Sequence, residues 1–270
     1  GKNIVFTDIQ KGPVMRVATY ERGRLRFWTD PFEINVSNEF HFFTPSDSVQ
    51  DVTLFAKYTL RADEMFLNRM IGGTFEGSNE PDFREKEVLY LINEKPKRLQ
   101  TVVQSYSSKP YRYVRYVGPK DSHCNIAEAA FYTPNDTTLL KGKVIGTPGC
   151  FQKDGSHEYT NVFDGDVTTS FDYIEPSGGW SGLDLGTPKQ IGRIVYTPRS
   201  YDNYIRSGDE YELFYCVNKT GWFSLGIQLS GSDSLVYRKV PANVMFLLKN
   251  YSRGRQERIF VYEDGKQRWK

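Results

Sequence analysis

Short segments rich in Val, Ile, Phe and Tyr recur along the whole chain, and they constrain its fold more than any other feature. Examples are VMRVATY, RLRFWTD, VTLFAKY, YRYVRYV, RIVYTP and YELFYCV. Gly, Pro, Asn, Asp and Ser separate them at intervals of about ten residues, which is typical of an antiparallel sandwich or barrel. One segment, AEAAFY after Cys124, fits a helical turn and an edge strand equally well. The pattern therefore predicts an all-β fold.

Length and charge narrow the class of protein. A chain of 270 residues is long for a single core, which favours two domains. Lys and Arg total 35 against 33 Asp and Glu, so no net field attracts nucleic acid or acidic lipid. The longest apolar run, from Val244 to Leu248, is far below the ~20 residues of a membrane-spanning helix. No transmembrane segment is expected.

The two halves of the chain resemble each other, which suggests a duplicated unit. LFAKYTLRADEMFLNRMIGGTFEGSN begins at Leu54, and RIVYTPRSYDNYIRSGDEYELFYC begins at Arg193. Each has a strand, an arginine, a polar loop, a glycine and a second aromatic strand. The stretch TPNDTTLLKGK marks a break between them. We predict two related β-domains, residues 1–138 and 139–270; in the alternative partition, residues 1–58 form a separate small β-domain.

Cysteine and histidine usage argues against catalytic and metal-thiolate sites. Cys124, Cys150 and Cys216 never form a CxxC pair, which argues against zinc ribbons and redox motifs. They are either three free thiols, or one bridge such as Cys150–Cys216 forms. Only three histidines are present, and the GxSxG, HExxH and dinucleotide-binding motifs are missing. We expect a protein without an active site.

The segment NVFDGDVTTSFDYIEPSGG places oxygen-bearing side chains at the spacing of an EF-hand loop. These are Asp164, Asp166, Thr168, Ser170, Asp172 and Glu175. Thr169 occupies the position where the EF-hand turn needs Gly. Pro176 directly follows the last ligand position, at the place where an EF-hand has its second helix. The spacing therefore does not predict an EF-hand. These objections do not apply to a hard-cation site of another kind, formed by an irregular loop.

Polar loops that contain aromatic residues are the better candidates for ligand binding. Arg199 is followed by Ser-Tyr-Asp-Asn-Tyr, and His157 is followed by Glu-Tyr. Sugars are bound by an aromatic face together with forked donors and acceptors that bridge neighbouring hydroxyls. A single Tyr or Arg in a loop fits a structural role equally well. The candidate ligand-binding residues are His157, Tyr173, Arg199, Tyr201 and Asn203.

These segments resemble the discoidin domain, the coagulation factor V/VIII C-type module of the galactose-binding-like superfamily. From Gly146 to Trp269 the matching pieces are NVFDGDVTTSF, GGWSGLDLG, QIGRIVYTPR, GDEYELFY, GWFSL and RIFVYEDG. In the first half, GGTFEGSNEPDF and YRYVRYVGPKDSHCNIAEAAFY resemble the central and closing strands of the same module, which makes that half a divergent copy. The ending from Val240 also resembles modules appended to large bacterial surface proteins, some of which carry transglutaminase-like domains.

The resemblance implies two tandem antiparallel jelly-roll β-sandwiches. It implies non-catalytic glycan recognition outside the cytoplasm, in a secreted, periplasmic or cell-surface protein. The alternative is an architectural spacer or docking module of a larger enzyme. Family members often hold a structural calcium ion, and the positions that carry over are Asp164, Asp166 and Thr169. A glutamate near the last strand usually completes that site, and Val261 or Glu263 falls near this place.

Overall fold

A computed structural model describes residues 14–15, 18–21, 24–28, 32–33, 47–58, 61–134, 138–216, 221–253 and 257–269. Before residue 47, and for residues 61–64, it describes the backbone alone. The strands are β1 (Val14–Met15), β2 (Ala18–Glu21), β3 (Arg24–Trp28), β4 (Phe32–Glu33), β5 (Val49–Leu54), β6 (Thr74–Ser78), β7 (Lys86–Leu91), β8 (Thr101–Gln104), β9 (Tyr111–Val117), β10 (Cys124–Tyr132), β11 (Lys143–Gly146), β12 (Phe171–Asp172), β13 (Trp180–Lys189), β14 (Arg193–Pro198), β15 (Glu210–Cys216), β16 (Trp222–Leu229), β17 (Leu235–Pro241), β18 (Met245–Asn250), β19 (Ile259–Glu263) and β20 (Lys266–Trp269). Helix α1 spans Arg61–Asn68, and a 3₁₀ helix spans Tyr159–Phe163.

Contacts divide the chain into two compact units. The first unit combines Gly1–Leu54 with Glu210–Gln228 and Val236–Lys270. It contains a five-stranded sheet in the order β16-β15-β18-β19-β20 and three strand pairs, β1-β4, β2-β3 and β5-β17. Alternate residues of β18 are buried, among them Phe246 and Leu248, as expected for a strand with one face on a core.

The second unit, Phe55–Asp209 with Leu229–Leu235, is a β-sandwich. Its sheets have the orders β11-β13-β9-β6-β7 and β12-β10-β14-β8, and all their described pairings are antiparallel. One core cluster joins both sheets. In it, the Phe75 ring of β6 lies 6.0 Å from that of Phe131 of β10 and 5.3 Å from that of Tyr196 of β14. The predicted all-β antiparallel fold is confirmed.

The boundaries of the two compact units do not lie between residues 138 and 139, where the sequence predicted the domain boundary. Strands β9 and β13, on opposite sides of that boundary, are neighbours in one sheet, with Leu183 paired to Val114. Leu140, within the stretch predicted to separate the two domains, is buried in the core and donates its backbone N–H to the Phe131 carbonyl at 2.8 Å. Each half therefore supplies strands that the other needs to close the sandwich. Most of the alternative domain, residues 1–58, lies outside the described residues.

The similarity between the halves does not correspond to a repeated structure. Arg61 begins helix α1, which the sequence did not predict, whereas Arg199 directly follows strand β14. The ambiguous segment AEAAFY lies wholly in strand β10. Among the described residues, no helix has the length and apolar character needed to span a bilayer.

All three cysteines are buried, and none of them forms a disulfide bond. The alternative bridge between Cys150 and Cys216 is not formed, and these residues belong to different units. Burial raises the pKa of the Cys124 thiol to about 12. Cys124 therefore packs as a small apolar residue of the core.

Candidate functional site

Arg199 lies where three elements of the sandwich meet. It follows β14, and its backbone N–H donates to the Asn125 carbonyl of β10 at 3.0 Å. Its guanidinium forms an ion pair with the Asp172 carboxylate of β12. The same group lies over the ring of Phe66 from α1, 4.3 Å from the ring centroid. One anionic and one aromatic partner thus hold the Arg199 guanidinium in position.

Tyr201 presents an aromatic surface beside this arginine. Its ring centroid lies 5.6 Å from that of Phe66, and 45% of the residue is exposed. Its carbonyl accepts a hydrogen bond from the Tyr58 hydroxyl at 2.5 Å. The backbone is held in place while part of the ring stays open to solvent, an arrangement suited to contact with a ligand.

His157 joins the site from the loop that precedes β12. Its carbonyl accepts the Asp172 backbone N–H at 3.1 Å, and its Nδ1 lies 3.1 Å from the Ser170 hydroxyl. Burial and the charge of Arg199 lower the pKa of His157. Both effects favour the neutral imidazole, which offers one donor and one acceptor nitrogen.

Two predicted ligand residues have other roles. Asn203 is buried, its side-chain N–H donates to the Tyr58 carbonyl at 3.2 Å, and its own carbonyl accepts the Lys57 N–H at 2.7 Å. It therefore anchors the loop after β14 instead of facing solvent. Tyr173 packs against the core and exchanges hydrogen bonds with His123, whose Nδ1 lies 2.7 Å from the Tyr173 carbonyl.

Buried charges hold the same loop in place. The Lys57 ammonium lies 3.7 Å from the Asp202 carboxylate, which also pairs with Arg206 at 2.6 Å. Burial lowers the pKa of Lys57 in spite of its acidic neighbours. The loop that carries Arg199 and Tyr201 is thus held by buried partners, and such support lets a binding site keep its geometry.

The structure adds Phe66, Asp172 and Asn125 to the residues that sequence reasoning proposed. Phe66 lies in a helix that was not predicted, and Asn125 lies in a strand, so neither carried a loop signature. Asp172 was grouped with the oxygen-bearing positions of the acidic segment. Their contacts with Arg199 cross between distant parts of the chain and leave no local sequence signal.

The acidic loop brings together its three predicted cation ligands. Asp164 accepts the Asp166 backbone N–H at 2.7 Å and the Thr169 hydroxyl at 2.8 Å. Glu128 of β10 also reaches this loop, where it accepts the Gly165 N–H at 2.9 Å. Burial and a hydrogen bond with Asp164 raise the pKa of Glu128 to about 8. The glutamate beside the loop is thus Glu128, whereas Val261 and Glu263, which the family resemblance places near this site, belong to β19 of the other unit.

Other members of the EF-hand-like spacing are engaged elsewhere. Asp172 is paired with Arg199, and Ser170 is buried beside His157. Within the described residues, no cluster of three or more His, Cys, Asp or Glu side chains is arranged to hold a metal ion. A cation at this loop would rely on Glu128, Asp164 and neutral oxygens, a donor set that suits a hard ion such as calcium.

Comparison with known proteins adds no family assignment, because no family model, curated protein or solved structure matches the chain.

Proposed function

We propose that the protein is a non-catalytic glycan-binding region and that its ligand site is formed by Arg199, Tyr201 and His157. The observation that carries the proposal is the placement of the fixed Arg199 guanidinium against Phe66, beside a ring of Tyr201 that is open to solvent. An aromatic face packs on the C–H groups of a sugar ring. A guanidinium fork and a neutral imidazole bind adjacent hydroxyls, so the three side chains provide complementary parts of one sugar site.

We further propose that the sandwich is a discoidin-type jelly roll whose motifs come from both halves of the chain. GGTFEGSNEPDF and YRYVRYVGPKDSHCNIAEAAFY lie in the second unit, as do NVFDGDVTTSF, GGWSGLDLG and QIGRIVYTPR. RIFVYEDG lies in the first unit, together with most of GDEYELFY. This distribution supports a single module formed mainly by the second unit instead of two copies in tandem. In this proposal the protein acts outside the cytoplasm.

A glycan array with the full chain tests the ligand site. We expect Arg199→Ala and Tyr201→Ala each to weaken binding by at least about tenfold, equivalent to ~1.4 kcal/mol. His157→Ala should weaken it as well. Tyr106→Ala is the matched control, because Tyr106 belongs to the same unit and is 66% exposed. Binding that survives the Arg199 and Tyr201 changes would place the site elsewhere, and an array without any bound glycan would favour the architectural function.

We also propose a structural calcium ion at the acidic loop, held by Glu128, Asp164 and neighbouring neutral oxygens. Two carboxyl groups in hydrogen-bond contact cannot both ionise without repulsion, as the raised pKa of Glu128 reflects. A divalent cation supplies the charge that lets both groups ionise. Its role would be to fix the loop between the 3₁₀ helix and β12.

A further inference from the structure

A second arginine lies beside the candidate ligand site. Arg69 directly follows helix α1 and continues its hydrogen-bond pattern, because its backbone N–H donates to the Met65 carbonyl at 3.1 Å. It comes three residues after Phe66, a spacing that places two residues on the same face of a helix. The Phe66 ring contacts Arg199 and Tyr201, so this face of the helix is turned towards both. Arg69 is therefore the next residue of that face beside the site.

A second connection holds Arg69 near Arg199. The Arg69 carbonyl accepts a hydrogen bond from the Ser122 hydroxyl at 2.8 Å. Three residues further on, the Asn125 carbonyl accepts the Arg199 backbone N–H at 3.0 Å. One short segment, residues 122–125, thus contacts both arginines. Burial and the charge of Arg69 lower the pKa of Arg199, as expected for like charges at short range.

The charges around the site leave Arg69 uncompensated. Asp172 pairs with Arg199, and Asp202 is already shared between two cations of its own loop. The Asp154 carboxylate, whose charge acts on the histidine of the site, accepts two hydrogen bonds within its own loop. Among the side chains that the structure describes, no carboxylate forms an ion pair with Arg69. The site therefore carries one positive charge more than its paired acidic groups balance.

The groups that would meet an anion can be reached from solvent. Tyr201 is 45% exposed, and 15% of the Arg199 side-chain surface is accessible. Arg69 and His157 are both partly exposed. A ligand can thus contact these side chains at the surface without entering a closed cavity. Solvent screens charges in such a place, so the attraction from Arg69 is moderate.

An anionic substituent on a sugar matches this arrangement. A guanidinium offers parallel N–H donors to the oxygens of an acidic group, and such charge-assisted hydrogen bonds are stronger than neutral ones. The Tyr201 ring can cover the C–H groups of the same sugar, while Arg199 and His157 bind its hydroxyls. A neutral sugar would leave the Arg69 guanidinium without a partner of opposite charge.

We infer that the ligand is an acidic glycan and that Arg69 recognises its carboxylate or sulfate group. The inference rests on the proposed glycan-binding function. It deepens that function, because it assigns the charge class of the sugar and a specificity-determining residue beyond Arg199, Tyr201 and His157.

The test uses the full chain and matched soluble probes: the methyl glycosides of galactose, glucose and mannose, their uronic acids and their sulfate esters. Calorimetry gives the affinities. At low salt we expect at least one acidic probe to bind about fivefold or more tightly than its neutral parent. This preference should shrink as sodium chloride rises from about 0.02 M to about 0.5 M, because salt screens exposed charges.

Variants of Arg69 test its role. Arg69→Gln removes the charge and keeps most of the side-chain length, so the preference for acidic probes should disappear while neutral-sugar affinity stays unchanged. Arg69→Lys keeps a point charge without the fork and should retain part of the preference. Arg84→Gln is the matched control, because Arg84 is an exposed arginine of the same unit that pairs with Asp82. It should behave as the parent does.

Equal affinity for neutral and acidic probes would overturn this inference and leave glycan binding standing. A preference that persists in Arg69→Gln, or an equal loss of neutral and acidic binding in that variant, would also overturn it. The comparison of probes on the parent protein, with its salt dependence, tests the inference even where Arg69→Gln does not fold. An array with no bound glycan would instead remove the proposed function itself.

Discussion

At the candidate site, the orientation of Arg199 depends on two neighbours of different kinds. Asp172 neutralises its charge, and the Phe66 ring covers the guanidinium from α1. The same ring contacts Tyr201, so one apolar side chain orders both predicted ligand residues. Loss of Phe66 would therefore affect binding without removing any group that touches the sugar.

Calcium binding can be tested at single residues. We expect calcium to raise the melting temperature of the parent protein, because a ligand that binds only the folded state stabilises it, by ~2.7 kcal/mol at a hundredfold excess over Kd. Glu128→Gln and Asp164→Asn should lose most of this increase, because each removes a proposed carboxylate ligand. Thermal melts in calcium and in chelator measure the difference.

The control for calcium is Glu175→Gln, which changes the last position of the EF-hand-like spacing. It should respond to calcium as the parent does. A Glu175 variant that loses the response, or a parent that never shows one, would contradict the proposed ligand set.

A single glycine in β13 is expected to be indispensable for packing. A Cβ added at Gly182 would lie 2.3 Å from the Val114 carbonyl oxygen of β9 and 2.7 Å from the Arg115 Cβ. Because backbone cannot move as a side-chain tip can, Gly182→Ala should destabilise the protein by about 1–3 kcal/mol in urea unfolding. Gly231→Ala has open space and should change stability by less than about 0.5 kcal/mol. Equal effects of the two changes would rule out the steric explanation.

At the scale of elements, an ion pair connects strands β9 and β13 in addition to their backbone hydrogen bonds. Arg112 of β9 binds Asp184 of β13 through two hydrogen bonds, of 2.8 and 2.9 Å. Asp184 also accepts the Gly186 N–H at 2.8 Å, at the end of the regular pairing. Hydrogen bonds from Arg112 and Gly186 lower the pKa of Asp184 from 3.8 to about 2.

This shift predicts a pH-dependent stability contribution. Because the folded state binds the Asp184 proton less tightly, its contribution is present above pH ~4 and is lost as the pH falls towards ~2. Asp184→Asn should therefore lower the free energy of unfolding at pH 7, and most of the difference from the parent should be lost near pH 2. Denaturant unfolding at both pH values measures it.

Glu94→Gln is the control for this comparison, because it removes one partner of the exposed Lys97–Glu94 pair. Its effect should be close to zero at both pH values. An Asp184 variant whose deficit persists unchanged at pH 2 would show that the effect is not carried by the carboxylate charge.

At the scale of the whole molecule, the strand order of the sandwich decides which part of the chain can fold alone. Both sheets of the second unit are built from strands between residues 55 and 209. A fragment of residues 55–209 should give dispersed amide signals and unfold cooperatively. A fragment of residues 139–270, the domain expected from sequence, should not, because it lacks β6, β7, β8, β9 and β10. The reverse outcome would restore the boundary near residue 138.

Local chemistry explains what could be predicted without a structure. Alternating apolar and turn residues indicated antiparallel strands, and Asp164, Asp166 and Thr169 do come together within one short loop. These features depend on neighbours along the chain, so they leave a signal in the sequence. His157, Arg199 and Tyr201 were also proposed from the sequence, through the aromatic and forked residues of their loops.

Only the tertiary structure decided what depends on contacts between distant segments. It brought Glu128 to the acidic loop, set Asp172 and Phe66 against Arg199, and buried Asn203 against Tyr58. It also paired strands across the expected domain boundary. The sequence by itself determined strand formation and loop chemistry, because backbone preference and side-chain type are local properties. The partners of each side chain followed from the order of the strands in the sheets. That order minimises exposed apolar surface over the whole sandwich, so no single segment of the sequence determines it.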